Sequence, residues 1–245
     1  MESLYTLEKK NHEQEQELNQ ERLRFYTNIT HELRTPLTLI LGPLEDMQKE
    51  TSLPAKQAQK LSVIHQSALR LLNLINQILE FRKTETQNKK LCVSKGNIAP
   101  LIYEIGLKYK ELNQKTKIDF QIQIEKEEMF LFFDKEIIAI VLDNLISNAI
   151  KYTEQGRVTL SLYQTMRNEV AYTEIKVSDT GYGISAEALP HIFDRYYQES
   201  GKHQASGTGI GLALVRNLVE LHEGEIRVES IQNEGRTFYI SLLTD

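Results

Sequence analysis

The chain has 245 residues, 40% of them hydrophobic and 26% charged, with a net charge of −5. That suffices for one large or two modest soluble domains and excludes the broad basic surface that nucleic acid demands. A single cysteine, Cys92, excludes an internal disulfide and a cysteine metal cluster, and no apolar run of about 18 residues or signal peptide is present, so no direct membrane contact is expected of this stretch.

Residues 8–24, EKKNHEQEQELNQERLR, are polar and rich in helix formers. Apolar residues then recur at helical spacing: Leu18, Phe25, Ile29, Leu33, Leu37, Ile40, Leu44 and Met47 describe one long amphipathic helix. KETSLP, 49–54, carries turn chemistry. A second stripe follows through Ala58, Leu61, Ile64, Ala68, Leu71 or Leu72, Ile75, and Ile78 or Leu79. Two such helices make an antiparallel hairpin, and one hairpin cannot cover both stripes, so a homodimeric four-helix bundle is expected. Residues 82–96 break the pattern and read as a linker between a helical domain at 1–85 and a second domain at 97–245.

Beyond the linker the periodicity changes. Residues 98–112 read as a helix. KIDFQIQI alternates at period two, and MFLFF, 129–133, is a short apolar strand. Asp134 stands where it can cap a helix running to about Lys151. RVTLSLYQ and VAYTEIKVS are strands, helices are expected near 185–191 and 210–222, and EIRVESI and TFYISLL form a final hairpin around Asn233 to Gly235. The mixture predicts an α+β fold, a sheet covered on one face by helices.

NITHELRTPLTLILGP, 28–43, carries the first chemistry. At about 100° per residue the stripe of Phe25, Ile29, Leu33, Leu37 and Ile40 faces one way and His31 the other, toward water. A helical histidine is ordinarily a surface or core residue without a special role. Here Glu32 follows it, and a carboxylate that takes the proton of one ring nitrogen makes the other a better nucleophile. Thr35 lies one turn on, on the same exposed face. Pro36 has no N–H for the Glu32 carbonyl, so a bend is expected beside the histidine.

The second domain adds four polar stretches. In DNLISNAIKYT, Asn144, Asn148 and Lys151 share a helix face. A carboxamide oxygen suits Mg²⁺ that also takes phosphate oxygens and water, and a lysine neutralises phosphate; a plain solvent-facing helix face reads the same way. In DTGYGI, Asp179 can accept from an amine such as adenine's, and Gly181 and Gly183 allow close backbone approach and positive φ, although a plain turn would also use these residues. HIFDRYYQ offers Ile192, Phe193 and Tyr196 as apolar anchors of a loop edge, or as core. GTGIGLALV runs Gly207, Gly209 and Gly211 into a helix whose free amides suit phosphate. It is neither a dinucleotide fingerprint, since Leu212 takes the third glycine's place, nor a Walker A loop. DRYYQESGKHQASG before it reads as a mobile lid; Lys202 and His203 have no geometric reason to point inward, and His191 and His203 lack metal-site spacing.

Together, FYTNITHELRTPLTLI resembles the phosphoacceptor box of sensor histidine kinases, and the four stretches resemble the N, G1, F and G2 boxes of their ATP-binding domain, in family order over nearly all of residues 20–243. One departure stands out: in NEGRTFYI, Gly235 and Thr237 match but Arg236 replaces the usual small residue. The resemblance implies a dimerisation hairpin followed by a two-layer α/β sandwich of the gyrase, chaperone, histidine kinase and MutL type. It implies ATP and Mg²⁺ as cofactors, with Asn144 and Asn148 as metal ligands. Asn144, Asn148, Lys151, Tyr152, Asp179, Gly181, Gly183, Ile184, Gly207, Thr208, Gly209, Gly211 and Leu212 would line the nucleotide site.

In the implied reaction His31 attacks the γ-phosphorus with Glu32 as general base, and the phosphoryl group passes to an aspartate of a response-regulator receiver domain. Thr35, completing an ExxT pattern, would position water for phosphatase action on that regulator. The family also implies a cytoplasmic kinase portion of a membrane-anchored sensor. Two rivals are an adaptor with a degenerate ATP domain, against which Asn148, Asp179 and the glycines speak, and a serine kinase or ATPase of the same superfamily, against which His31, Glu32 and Pro36 speak.

Overall fold

The computed structural model describes residues 28–48, 54–85, 90–113, 117–198 and 209–244. The chain divides into two compact units, Met1–Lys89 and Lys90–Asp245. Among the described residues no helix is long and apolar enough to cross a membrane.

In the first unit, α1 (residues 28–48) and α2 (Ala55–Glu85) pack antiparallel. Leu37 and Leu41 of α1 are buried with Ile75 of α2, and Ala68 and Leu72 close the cluster. Arg34 donates from Nη2 to Asn76 Oδ1 at 2.7 Å, and Glu45 lies 3.6 Å from His65 near the other end, which fixes the direction of the pairing. The stripe predicted for α1 splits in two. Leu37 and Leu41 face α2 and Thr30 is buried, whereas Leu33, Ile40 and Met47, spaced by seven, are 48%, 50% and 44% exposed. On α2 the structure selects Leu72 and Leu79 for the interior and leaves Ile64 and Leu71 outside. The single hairpin covers only half of each apolar surface, as its width requires.

In the second unit a five-stranded sheet has the order β2-β4-β5-β7-β6, formed by Ile118–Ile124, Gly156–Arg167, Val170–Asp179, Gly235–Leu243 and Glu225–Ile231. Only β2 and β4 run parallel. A small antiparallel pair joins β1 (Ser94–Asn97) to β3 (Phe130–Phe133). Thus the stretch read as a linker is shorter than expected: α2 continues to Glu85, and β1 already belongs to the second unit. SKGN has no strand composition of its own; pairing with β3 imposes the conformation.

Helices α3 (Ala99–Leu112), α4 (Lys135–Lys151) and α5 (Gly211–Leu221) cover one face of the sheet. Val158, Leu160 and Leu162 of β4, Ile175 and Val177 of β5, and Phe238 and Ile240 of β7 meet Val141, Leu142 and Leu145 of α4 and Leu214 and Leu218 of α5, all essentially inaccessible. Alternation at period two sends the intervening residues to the other face. There Glu174 is buried among Tyr163, Arg167, Arg227 and Ser241. The helix expected near 185–191 is only a 3₁₀ turn, Leu189–His191.

Candidate active site

On α1, His31, Glu32 and Thr35 are exposed. Thr35 Oγ1 donates to the His31 carbonyl at 3.1 Å, so its hydroxyl folds back along the turn that carries the histidine. Thr38 does the same to Arg34 at 3.0 Å, and Arg34 is the anchor to α2. The helix passes through Pro36 without interruption. His31 and Glu32 are neighbours on the exposed face, and among the described residues no hydrogen bond joins their side chains.

The second constellation begins with α4. Asp134, in extended conformation, accepts from Glu136 N at 2.9 Å and Ile137 N at 3.2 Å, the cap expected of it. The helix then presents its polar residues unequally. Asn144 is 7% exposed and donates to the Ile140 carbonyl at 2.8 Å. Its Oδ1 lies 2.9 Å from where a Cβ on Gly211 would sit, so Asn144 packs against the start of α5. Asn148, one turn later, is half-buried, and Lys151 is exposed with Nζ 4.7 Å above the Tyr152 ring. Tyr152 caps the end of α4.

Asp179 is the last residue of β5 and is 5% exposed. Its Oδ1 accepts from Gly181 N at 3.0 Å and its Oδ2 from Arg236 Nε at 2.8 Å. The loop after it is fastened on both sides. Tyr182 N donates to the Tyr152 carbonyl at 3.2 Å, Asn233 N to the Tyr182 carbonyl at 2.7 Å, and Ile184 N to Ser230 Oγ at 2.9 Å. Gly183 has φ +66°, and a Cβ there would stand 2.1 Å from the Ile231 carbonyl oxygen. Gly181 has no positive φ; its role is close approach, since a Cβ would come within 2.2 Å of the Tyr152 carbonyl oxygen. Ile184 is buried below this loop.

The third edge is the start of α5. Gly209 has φ +70° and its carbonyl accepts from Tyr196 N at 3.0 Å. The N-cap residue of α5, Ile210, makes no side-chain cap, and the helix begins at Gly211 and Leu212. Amides at an uncapped helix start fit an anionic phosphate. Ile192 is buried and Phe193 meets Phe238 edge-on at 6.4 Å, but Tyr196 is 62% exposed and does not anchor the loop. Gly207, Thr208, Lys202 and His203 lie outside the described residues.

The donor set fits the implied groups. Asp179 offers a carboxylate to an amine, and the uncapped α5 offers amides to phosphate. Among the described residues no three His, Cys, Asp or Glu gather as metal ligands, so a hard cation here would rely on a carboxamide together with phosphate oxygens and water. Asn148, half-buried, is better placed for that than Asn144, which is buried with its NH₂ on the Ile140 carbonyl and its Oδ1 against Gly211. One contributor lay beyond sequence reasoning. Arg236 was visible only as a departure in residue size, yet it pairs with Asp179 and reaches the Asn148 carbonyl at 2.7 Å.

Comparison with known proteins matches this division. Residues 21–87 fit the His Kinase A (phospho-acceptor) domain, and residues 133–245 fit the histidine kinase-, DNA gyrase B- and HSP90-like ATPase domain. The chain is 37% identical to Histidine kinase P4 of Formosa agariphila over 98% of its own length and 17% of that protein. It is 34% identical to the autoinducer 2 sensor kinase/phosphatase LuxQ of Vibrio vulnificus over 90% of its own length and 26% of that protein. It thus spans between 17% and 26% of the length of these relatives. The crystal structure of full-length ShkA in complex with AMPPNP shares its fold at a TM-score of 0.70 and 24% identity, covering 89% of this chain and 45% of that one. A phosphoacceptor hairpin joined to an ATP-binding α/β sandwich defines a class of signalling protein. This chain belongs to the sensor histidine kinases of two-component systems.

Proposed function

We propose that this chain phosphorylates itself on His31 from Mg·ATP and passes the phosphoryl group to an aspartate of a response-regulator receiver domain. The observation that carries the reading is an exposed imidazole on α1, in the same chain as a buried carboxylate and an uncapped glycine-led helix suited to the two ends of a nucleotide. One ring nitrogen of His31 attacks the γ-phosphorus in line; the N–P bond forms as the bond to the β-γ bridging oxygen breaks and ADP leaves. Glu32 holds the proton of the other ring nitrogen. Asp179 receives the base amine, α5 and Lys151 hold phosphate oxygens, and Asn148 is the ligand for Mg²⁺, with Asn144 supporting it. When bound, Mg²⁺ neutralises charge on the phosphates. Tyr152, Gly181, Gly183, Ile184, Gly207, Thr208, Gly209, Gly211 and Leu212 shape the pocket.

The exposed heptad of Leu33, Ile40 and Met47, with Ile64 and Leu71, supports a homodimer in which two hairpins build a four-helix bundle. Thr35 orients water when the regulator is dephosphorylated, an activity that the LuxQ relative carries in its name. The kinase portion works in the cytoplasm. The test is incubation with γ-labelled ATP. Acid-labile label is expected on the protein and absent from His31→Gln; label retained by that variant refutes the assignment.

One observation favours a second reading, a scaffold that binds no nucleotide: Arg236 already holds Asp179. Calorimetry with Mg·ATP decides, since a scaffold gives no binding heat.

A further inference from the structure

Arg236 has a specific place in the sheet. It lies opposite Asp179 of β5 and opposite Ser230 of β6. Strand alternation turns it, like Phe238 and Ile240, toward the helices. A guanidinium there cannot lose its proton, so it must find partners. Among the described residues it finds Asp179 Oδ2 at 2.8 Å, the Asn148 carbonyl at 2.7 Å, the face of Tyr152 at 4.6 Å and the ring of Phe238 at 6.0 Å. The two side chains of the ion pair are 7% and 2% exposed. The other carboxylate oxygen takes the Gly181 amide. Both oxygens of Asp179 therefore accept hydrogen bonds before any base arrives.

We propose that Arg236 is an internal competitor for Asp179, so that a purine 6-amino group gains less in this chain than a free carboxylate would give it. The inference rests on the reading of Asp179 as the group that receives the base amine. A carboxylate already paired with a cation in a dry site is a weaker acceptor, because part of its charge is spent on that pair. Separating the pair to make room would leave two buried charges uncompensated. The amine must share Asp179 with Arg236, and a base without the amine leaves the pair untouched. The same guanidinium ties Asp179 to the main chain of Asn148, so base and metal ends of the pocket feel one side chain.

The experiment compares ATP with purine riboside 5′-triphosphate, which lacks only the 6-amino group, by calorimetry on the full chain with Mg²⁺. In the unsubstituted protein the two dissociation constants should agree within about threefold, because the new hydrogen bond to Asp179 is offset by a weakened one. In Arg236→Thr and Arg236→Gln, discrimination in favour of ATP should rise by about tenfold or more. Tenfold discrimination in the unsubstituted protein overturns the proposal without any variant. So does unchanged or reduced discrimination in folded variants, which is what a purely structural arginine would give. Asp179→Asn in the Arg236→Thr background separates the two layers: if the discrimination gained by Arg236→Thr survives in the double variant, the amine is received elsewhere, the assignment of Asp179 fails and the inference falls with it.

Discussion

Replacing Asp134 by alanine should destabilise the second unit more than an ordinary helix cap would. Its Oδ1 accepts from Glu136 N and Ile137 N, and its Oδ2 accepts from Cys92 N at 2.7 Å across the link to the strand pair. Losing an aspartate cap costs about 1 kcal/mol. The Cys92 amide loses a charged acceptor, a bond worth about 1.5–3 kcal/mol, discounted because Cys92 is exposed and water can replace part of it. The sum is about 2–3 kcal/mol, or a fall in melting temperature of about 5–10 °C for a unit of this size. Asp134→Asn is the discriminating control. Its carboxamide oxygen still caps α4, but its NH₂ faces the Cys92 N–H, so about 1 kcal/mol should be lost. Urea unfolding followed by circular dichroism and tyrosine emission measures both; the chain has 11 tyrosines and no tryptophan. An alanine variant within about 0.5 kcal/mol of the parent, or an asparagine variant as damaged as the alanine one, refutes the reasoning.

Gly183→Ala forces a side chain into φ +66° with its Cβ 2.1 Å from the Ile231 carbonyl oxygen, so a loss above about 2 kcal/mol is expected, read as a lowered urea midpoint. Tyr109 is pushed above the ordinary tyrosine range, first by burial and then by Asp143, to which it donates at 2.9 Å. Below the unfolded value of about 10 both states hold the proton and this group adds no pH dependence; above it the unfolded chain ionises first, so stability falls as pH rises. Tyr109→Phe should make that fall shallower between about pH 10 and 11.5, and an unchanged slope in denaturant titrations would argue against it. Ile40→Asp should convert a dimer to monomers in light scattering while the hairpin keeps its helicity, because Ile40 points away from α2; a mass that stays dimeric removes Ile40 from the interface.

The parts of this protein that depend on neighbours in sequence were readable from it. Asp134 follows an apolar strand and precedes a helical stripe, and it caps α4. His31 falls off the apolar stripe of α1 and is exposed, because a helix places each residue by its distance along the chain. Errors begin where partners are remote. The choice between Leu71 and Leu72 belongs to α1, which packs against Leu72. The strand at Ser94–Asn97 exists because β3 lies beside it.

Arg236 marks the boundary most clearly. Nothing within several residues of it explains a buried cation. Its meaning comes from register: β5 and β7 pair so that Ser178 meets Thr237 and Asp179 meets Arg236, 57 positions apart in sequence. Register is stiff, because a slip of one residue would turn Arg236 to the open face and drive Tyr239 into the core. The guanidinium is therefore held at Asp179 by the whole apolar face of β7, through Phe238, Ile240 and Leu242. Its only freedom is rotation of its own side chain, and that rotation must break a buried ion pair, the bond to Asn148 and the stacking on Tyr152 together. A ligand that asks for Asp179 thus meets a side chain fixed at both ends, and has less to gain by displacing it than by sharing the carboxylate.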